Sequence, residues 1–154
     1  MSIKIYPAYN EIDNVRELLK EYARWLEIDL CFQSFDEELK TLPGLYALPK
    51  GRLYLARYKD ELAGCVALKP VQDNKCEMKR LYVRREYRGH KIGKTLVEKI
   101  IDDAKGMDYC AMRLDTLTSL KEAIALYRQK GFCDTEPYYE NPSENVIYMS
   151  LDLQ

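Results

Sequence analysis

Between Lys79 and Lys94 seven cationic side chains stand against one acid, Glu86. They are Lys79, Arg80, Arg84, Arg85, Arg88, Lys91 and Lys94, and Gly89 and Gly93 lie among them. A strand-like run precedes the stretch and a helical pattern follows it. The loop therefore meets a helix N-terminus, where backbone N–H groups lack partners and the peptide dipoles favour an anion. Glycine lets a ligand approach the backbone with no Cβ in the way. The local pattern admits two readings, a phosphate cradle or a solvated turn. It is neither a P-loop, G-x-x-x-x-G-K-[ST], nor the dinucleotide pattern G-x-G-x-x-G.

The elements that must position this loop follow from periodicity. "IKIYPA" reads as a strand, and residues 11–27 space Ile12, Val15, Leu18, Leu19, Tyr22, Trp25 and Leu26 as a helix. "SFDEELKTL" predicts a short helix with Ser34 as its N-cap. "RLYLARY" and "LAGCVALKP" flank the polar link "KDE" as a hairpin, and "CEMKRLYV" follows the turn "QDN". Residues 91–105 carry an apolar helical face, "YCAMRLDT" is a strand, and Ser119 with Glu122 predicts a capping box for "LKEAIALYRQK", closed by Gly131. "NVIYMSLDL" alternates as a strand. The order is β-α-α-β-β-β-α-β-α-β-β, an α/β (α+β) plan with a mixed sheet and helices on both faces, in one domain spanning 1–154. The crossover through residues 91–105 makes its two flanking strands parallel. Alternation sets Glu77, Lys79 and Leu81 on one face, opposite Cys76, Met78, Arg80 and Tyr82.

Composition narrows the function classes. A net charge of −1 over 154 residues supplies no global field for nucleic acid, and the basic run is short, so no nucleic-acid partner is expected. The start "MSIKIYPAYN" lacks the pattern of a signal peptide and no run reaches membrane-span length, so a cytoplasmic protein with no membrane partner is expected. The five cysteines form no C-x-x-C and read as reduced thiols. One histidine, His90, and no clustered ligands predict no metal site.

"CEMKRLYVRREYRGHKIGKTLVEKI" resembles motif A of the GNAT family of acetyl-CoA-dependent N-acetyltransferases, and "AIALYRQKGF" resembles its motif B. In motif A, a strand leads into R/Q-x-x-G-x-G/A and a helix; Arg88, Gly89 and Gly93 match, while Lys91 stands where glycine is usual. In motif B, Leu120 takes the place of a common asparagine. The element order also matches the family along nearly the whole chain.

The resemblance implies acetyl-CoA as co-substrate and roles residue by residue. Backbone groups of Leu81, Tyr82 and Val83 would pair with the pantetheine arm. N–H groups from Arg88 through Gly89, His90, Lys91, Ile92 and Gly93 to Lys94 would hold the pyrophosphate, assisted by Thr95. Lys79, Arg84, Arg85 and Lys91 are candidates near the adenosine phosphates. Tyr127 would be the general acid for the thiolate, its alternative being a packing residue of an amphipathic helix. Glu77 would be the base, directly or through a water, its alternative being an exposed carboxylate paired with lysine. The implied reaction is acetyl transfer to a primary amine of a small molecule or peptide by direct attack in a ternary complex. The alternative is a non-catalytic CoA-binding or regulatory module. On the acceptor side, Trp25, Glu27, Tyr138 and Tyr139 combine aromatic rings and acids in a manner that suits a cationic amine. The oligomeric state stays open, a homodimer included.

Overall fold

A computed structural model describes residues 2–26, 34–139 and 145–154. The elements are β1 (Ile3–Pro7), α1 (Ile12–Leu26), α2 (Phe35–Thr41), β2 (Arg52–Tyr58), β3 (Glu61–Pro70), β4 (Lys75–Val83), α3 (Ile92–Gly106), β5 (Ala111–Leu117), α4 (Lys121–Gln129), β6 (Cys133–Thr135) and β7 (Val146–Asp152). They reproduce the expected order. Among the described residues, seven strands form one mixed sheet in the order β1-β2-β3-β4-β5-β7-β6, with β4 and β5 parallel.

The two faces of the sheet are covered separately. On one, Leu96, Val97 and Ile100 of α3 pack with Met112, Leu114 and Met149. On the other, Val15, Leu18 and Leu19 of α1 pack with Leu53, Leu55 and Ala67. β3 lies between these layers and is buried without a break from Leu62 to Leu68. That explains its continuous apolar run, where a half-exposed strand would alternate. The β2–β3 and β3–β4 hairpins turn through pairs of residues with positive φ, Lys59 and Asp60, then Asp73 and Asn74. Such pairs match the twist of the flanking strands.

Alternation along β4 fails at one residue. Cys65 pairs with Tyr82 and Ala67 with Lys79, so β4 spends three steps where β3 spends two. The extra residue makes a β-bulge, with Arg80 left-handed at φ 62°. Leu81 therefore joins the α3 face with Cys76 and Met78, while Tyr82 packs in the α1 layer. This corrects the expected grouping of Leu81 with Glu77 and Lys79. Beside the bulge the chains press close: a Cβ on Gly64 would lie 2.5 Å from the Tyr82 carbonyl oxygen. Arg80 is itself buried and grips Glu38 of α2 with two hydrogen bonds, Nε–Oε2 3.0 Å and Nη2–Oε1 2.8 Å. Burial alone would raise the Glu38 carboxyl, but the Arg80 hydrogen bonds and charge hold it below the usual range.

Two expected caps are not made. Ser34 is left-handed at φ 57° with no side-chain capping bond, and Leu120, not Ser119, occupies the N-cap of α4. A serine near a helix start does not cap unless its own backbone is extended there.

Removing one partner of a buried ion pair strands the other charge. Glu38→Gln is therefore expected to cost about 3–5 kcal/mol in urea unfolding at neutral pH. The folded-state pKa of Glu38 is lowered, so its contribution is present above the ordinary carboxylate range and is lost as pH falls. The gap between wild type and Glu38→Gln should accordingly narrow on acidification, which the same titration at lower pH checks.

Candidate active site

The three-pair contact between β4 and β5 creates the site. Lys75, Cys76 and Glu77 pair with Ala111, Met112 and Arg113. Beyond them β4 runs on to Val83 and β5 to Leu117 with no ladder between them. The bulge at Arg80 twists β4 away from its neighbour, and a wedge opens in the sheet. One edge of β4 thus offers unpaired backbone groups, the condition for adding an extended ligand as a strand.

The wedge opens into a cleft of about 790 Å³. Leu81, Tyr82 and Val83 line it from β4, Arg88, Gly89 and Lys91 from the loop, and Ile92 and Gly93 from the start of α3. Leu120, Ala123 and Leu126 form the wall from α4, so Leu120 contributes packing where an amide would hydrogen-bond. The ladder of α3 starts with Thr95 N–H donating to Lys91 O at 3.0 Å. The N–H groups of Ile92, Gly93 and Lys94 therefore have no carbonyl of their own helix to reach. Lys91 is left-handed at φ 65°, ψ 22°, which accounts for the glycine usual at this motif position. Gly93 is different: it has no positive φ, and a Cβ there would meet only Val83 Cγ2 at an ordinary 3.8 Å. Neither backbone conformation nor packing asks for glycine at Gly93. The space beside the cradle is what a Cβ would fill.

The basic side chains divide into several settings. Lys79 is partly buried on the other face, 3.7 Å from Glu77 and 3.9 Å from Asp115, with its ammonium pKa pushed down by desolvation and by Arg80. Arg84 is tied to Glu21 of α1 at 2.6 and 3.0 Å. Of the four phosphate candidates, Arg85 and Lys91 line the cleft. Arg88 donates to Val83 O at 2.9 Å and lays its guanidinium over Trp25, 4.4 Å from the ring centroid. His90 stacks on Tyr58 at 4.4 Å and Thr95 Oγ1 donates to Lys91 O at 2.8 Å.

Tyr127 is set by the end of its helix. Gly131 N–H donates to Arg128 O and Phe132 N–H to Tyr127 O, both at 3.0 Å, with Gly131 at φ 103°. This is a Schellman closure, and its apolar contact is Phe132 against Tyr127, with ring centroids 5.8 Å apart. Tyr127 is buried on the helix whose Ala123 and Leu126 line the cleft. Burial, with smaller contributions from Tyr22 and Asp115, raises its phenol pKa well above the ordinary value.

The opposite face of the wedge carries a mixed cluster. Glu77, 3% exposed, lies 3.8 Å from Lys69, 3.7 Å from Lys79 and 3.8 Å from Arg113, and accepts a hydrogen bond from Tyr138 at 3.3 Å. Tyr139 donates to Asp115 at 2.6 Å, and Tyr148 packs edge-on to both tyrosines. The structure thus brings Tyr138 to Glu77 and Tyr139 to Asp115, while Trp25 stands with Tyr82 in the cleft. Glu27 lies outside the described residues. Sequence reasoning missed Lys69 and Arg113. Arg113 alternates with the buried Met112 and Leu114 beside Asp115, a strand pattern that points it to the face of Glu77. Among the described residues, no three His, Cys, Asp or Glu side chains gather as a metal site, and no helix is long and apolar enough to cross a membrane.

Gly131→Ala places a Cβ at positive φ and 3.2 Å from Leu151 Cδ1. It is expected to lower stability by roughly 1–3 kcal/mol, read from the thermal midpoint, because it strains the turn that seats Phe132 on Tyr127.

Comparison with known proteins agrees with this architecture. The model of the acetyltransferase (GNAT) family matches residues 12–132. An uncharacterised N-acetyltransferase of Schizosaccharomyces pombe is 43% identical, covering 99% of this chain and 95% of its own. A GNAT-family acetyltransferase structure from Staphylococcus aureus has a TM-score of 0.80 at 22% identity, over 99% of both chains. An N-acetyltransferase structure from Thermoplasma acidophilum, solved with coenzyme A, has a TM-score of 0.73 at 22% identity, also over 99% of both.

Proposed function

This chain belongs to the GNAT acetyltransferase family, and on that footing we propose that it transfers an acetyl group from acetyl-CoA to a primary amine of a small molecule or peptide. One observation carries the reading. The wedge between β4 and β5 leads to a helix N-terminus beside Gly93, a glycine that the fold does not itself require. A strand-like arm with an anionic end fits such a cleft, and coenzyme A in the Thermoplasma acidophilum relative has that chemistry.

In this reading Leu81, Tyr82 and Val83 take the pantetheine arm along the unpaired edge of β4. The N–H groups of Ile92, Gly93 and Lys94 receive the pyrophosphate, flanked by Lys91 and Arg85. The amine nitrogen attacks the acetyl carbon directly, the N–C bond forms and the C–S bond breaks. No covalent enzyme intermediate is required. Tyr127 gives its proton to the leaving thiolate. Its raised pKa keeps the phenol protonated across the neutral range, as an acid needs. Glu77 accepts the amine's proton through a relay, because its carboxylate is already divided among three cations and the Tyr138 hydroxyl. The free thiols of Cys65 and Cys76, both pushed up to about 12 by burial, are inert to the chemistry and suit a reducing compartment such as the cytoplasm.

Tyr127→Phe keeps the ring and removes the proton. It is expected to lower kcat by about tenfold or more while acetyl-CoA Kd changes less than about twofold. Thiol release across an amine panel and calorimetry measure the two, and unchanged turnover would remove Tyr127 from the acid role. Gly93→Ala should raise the thermal midpoint, since alanine favours the helix by roughly 0.5–1 kcal/mol, and at the same time weaken acetyl-CoA binding. Undiminished affinity would show that the pyrophosphate does not sit there.

A further inference from the structure

We propose that Arg113 anchors a carboxylate carried by the acceptor itself, so that the amine acetylated belongs to a small amino acid. The inference rests on the acetyl-transfer reading above and names its substrate class.

Arg113 stands opposite Glu77 at the last pair before the wedge opens. Its guanidinium lies over Tyr138, 3.9 Å from the ring centroid. Its buried Nε has no hydrogen-bond partner among the described residues. The nearest carboxylate oxygen, Glu77 Oε1, is 3.8 Å from Nη2, beyond hydrogen-bond length. Other arginines in this fold behave differently. Arg80 holds Glu38 at 2.8 and 3.0 Å, and Arg84 holds Glu21 at 2.6 and 3.0 Å. Where a guanidinium ties elements together here, its fork is filled. At Arg113 the fork is open, and its side chain keeps 26% of its surface accessible.

An unfilled, half-buried guanidinium is costly, and a planar carboxylate is the partner that fits it edge-on. Tyr138 covers one face of the guanidinium, and the accessible part of the side chain is left for such an approach. The neighbouring acids choose among anions. Glu77 and Asp115 repel a dianion such as phosphate more strongly than a singly charged carboxylate. The same acids sit where they can face an ammonium group. A site with a cation and acids side by side matches a zwitterion, in which amine and carboxylate are a few bonds apart. Its position at the apex of the wedge sets that amine next to the thioester of the proposed reaction.

The test uses the full chain with saturating acetyl-CoA. Phenylalanine, methionine, glutamate and β-alanine are each compared with the carboxamide of the same carboxyl group, and thiol release is followed. The α-carboxamide carries the less basic amine, so it starts with more of the reactive free form. For at least one acid, kcat/KM is expected to exceed that of its amide by about tenfold or more, as for a site built around a hydrogen-bonding group. Arg113→Gln should bring the ratio to near one with acetyl-CoA Kd changed less than about twofold, and Arg113→Lys should recover part of it. Amides that react as well as acids, or a preference that survives Arg113→Gln, would overturn the assignment and leave acetyl transfer standing. If no amine in the panel turns over, the CoA-loaded protein is titrated calorimetrically with the same four acids. Binding that Arg113→Gln abolishes supports the anchor, and no binding by any acid overturns it. Failure of acetyl-CoA itself to bind would take down both readings.

Discussion

The rest of the structure depends on the buried pair of Arg80 and Glu38. It holds a left-handed residue in the middle of a central strand, where a non-glycine backbone at positive φ needs support from its surroundings. That support comes from α2, far away in sequence. With Arg80 fixed, the β4 register slips by one, Tyr82 turns to α1, Leu81 turns to α3, and the strand leaves β5. The wedge, the unpaired edge and the approach to the cradle are consequences of that slip. An ion pair with its guanidinium buried adds little net stability compared with an apolar replacement. What it supplies is a defined backbone path where an uninterrupted ladder would otherwise close the sheet.

This also explains what the sequence made legible. Helix and strand order could be read because apolar spacing reports which face is covered, and each element obeyed its own period. The basic loop at the start of α3 could be read because glycines, cations and a helix start are all local. The bulge could not, since nothing near Arg80 marks it; its cause is Glu38 on another element. Ser34 and Ser119 misled for a related reason. A cap depends on the backbone angle of the capping residue, and the surrounding packing set that angle. Trp25 shares its aromatic character with Tyr138 and Tyr139, and the structure stacks it under Arg88 at the cleft lined by Tyr82 and Gly93.

The two faces of the wedge are electrically unlike. The cleft face presents helix N–H groups with Arg85, Arg88, Lys91 and Lys121 against one acid, Glu122, a mainly positive field suited to phosphates. The opposite face interleaves Glu77 and Asp115 with Lys69, Lys79 and Arg113. Mixed signs at short range give little long-range pull and strong dependence on position. One side of the cleft can therefore gather a charged ligand from a distance, while the other discriminates by the placement of individual groups. Tyr127 is seated between these regimes by Gly131 and Phe132, so a turn at the end of α4 governs where they meet.

The three-pair seam between β4 and β5 has a mechanical side. Strands β1 to β4 are joined to one another by antiparallel ladders, β5 to β7 by another, with short β6 on the edge of β7, whereas the two groups meet along Lys75–Glu77 and Ala111–Arg113. Backbone pairing between the two groups is short along that line, and α3 bridges it from one side. A ligand lodged in the wedge supplies backbone bonds the sheet lacks, acting as a missing strand. A strand-like ligand there would couple binding to the cooperativity of the whole sheet, because its backbone bonds would reach both groups of strands.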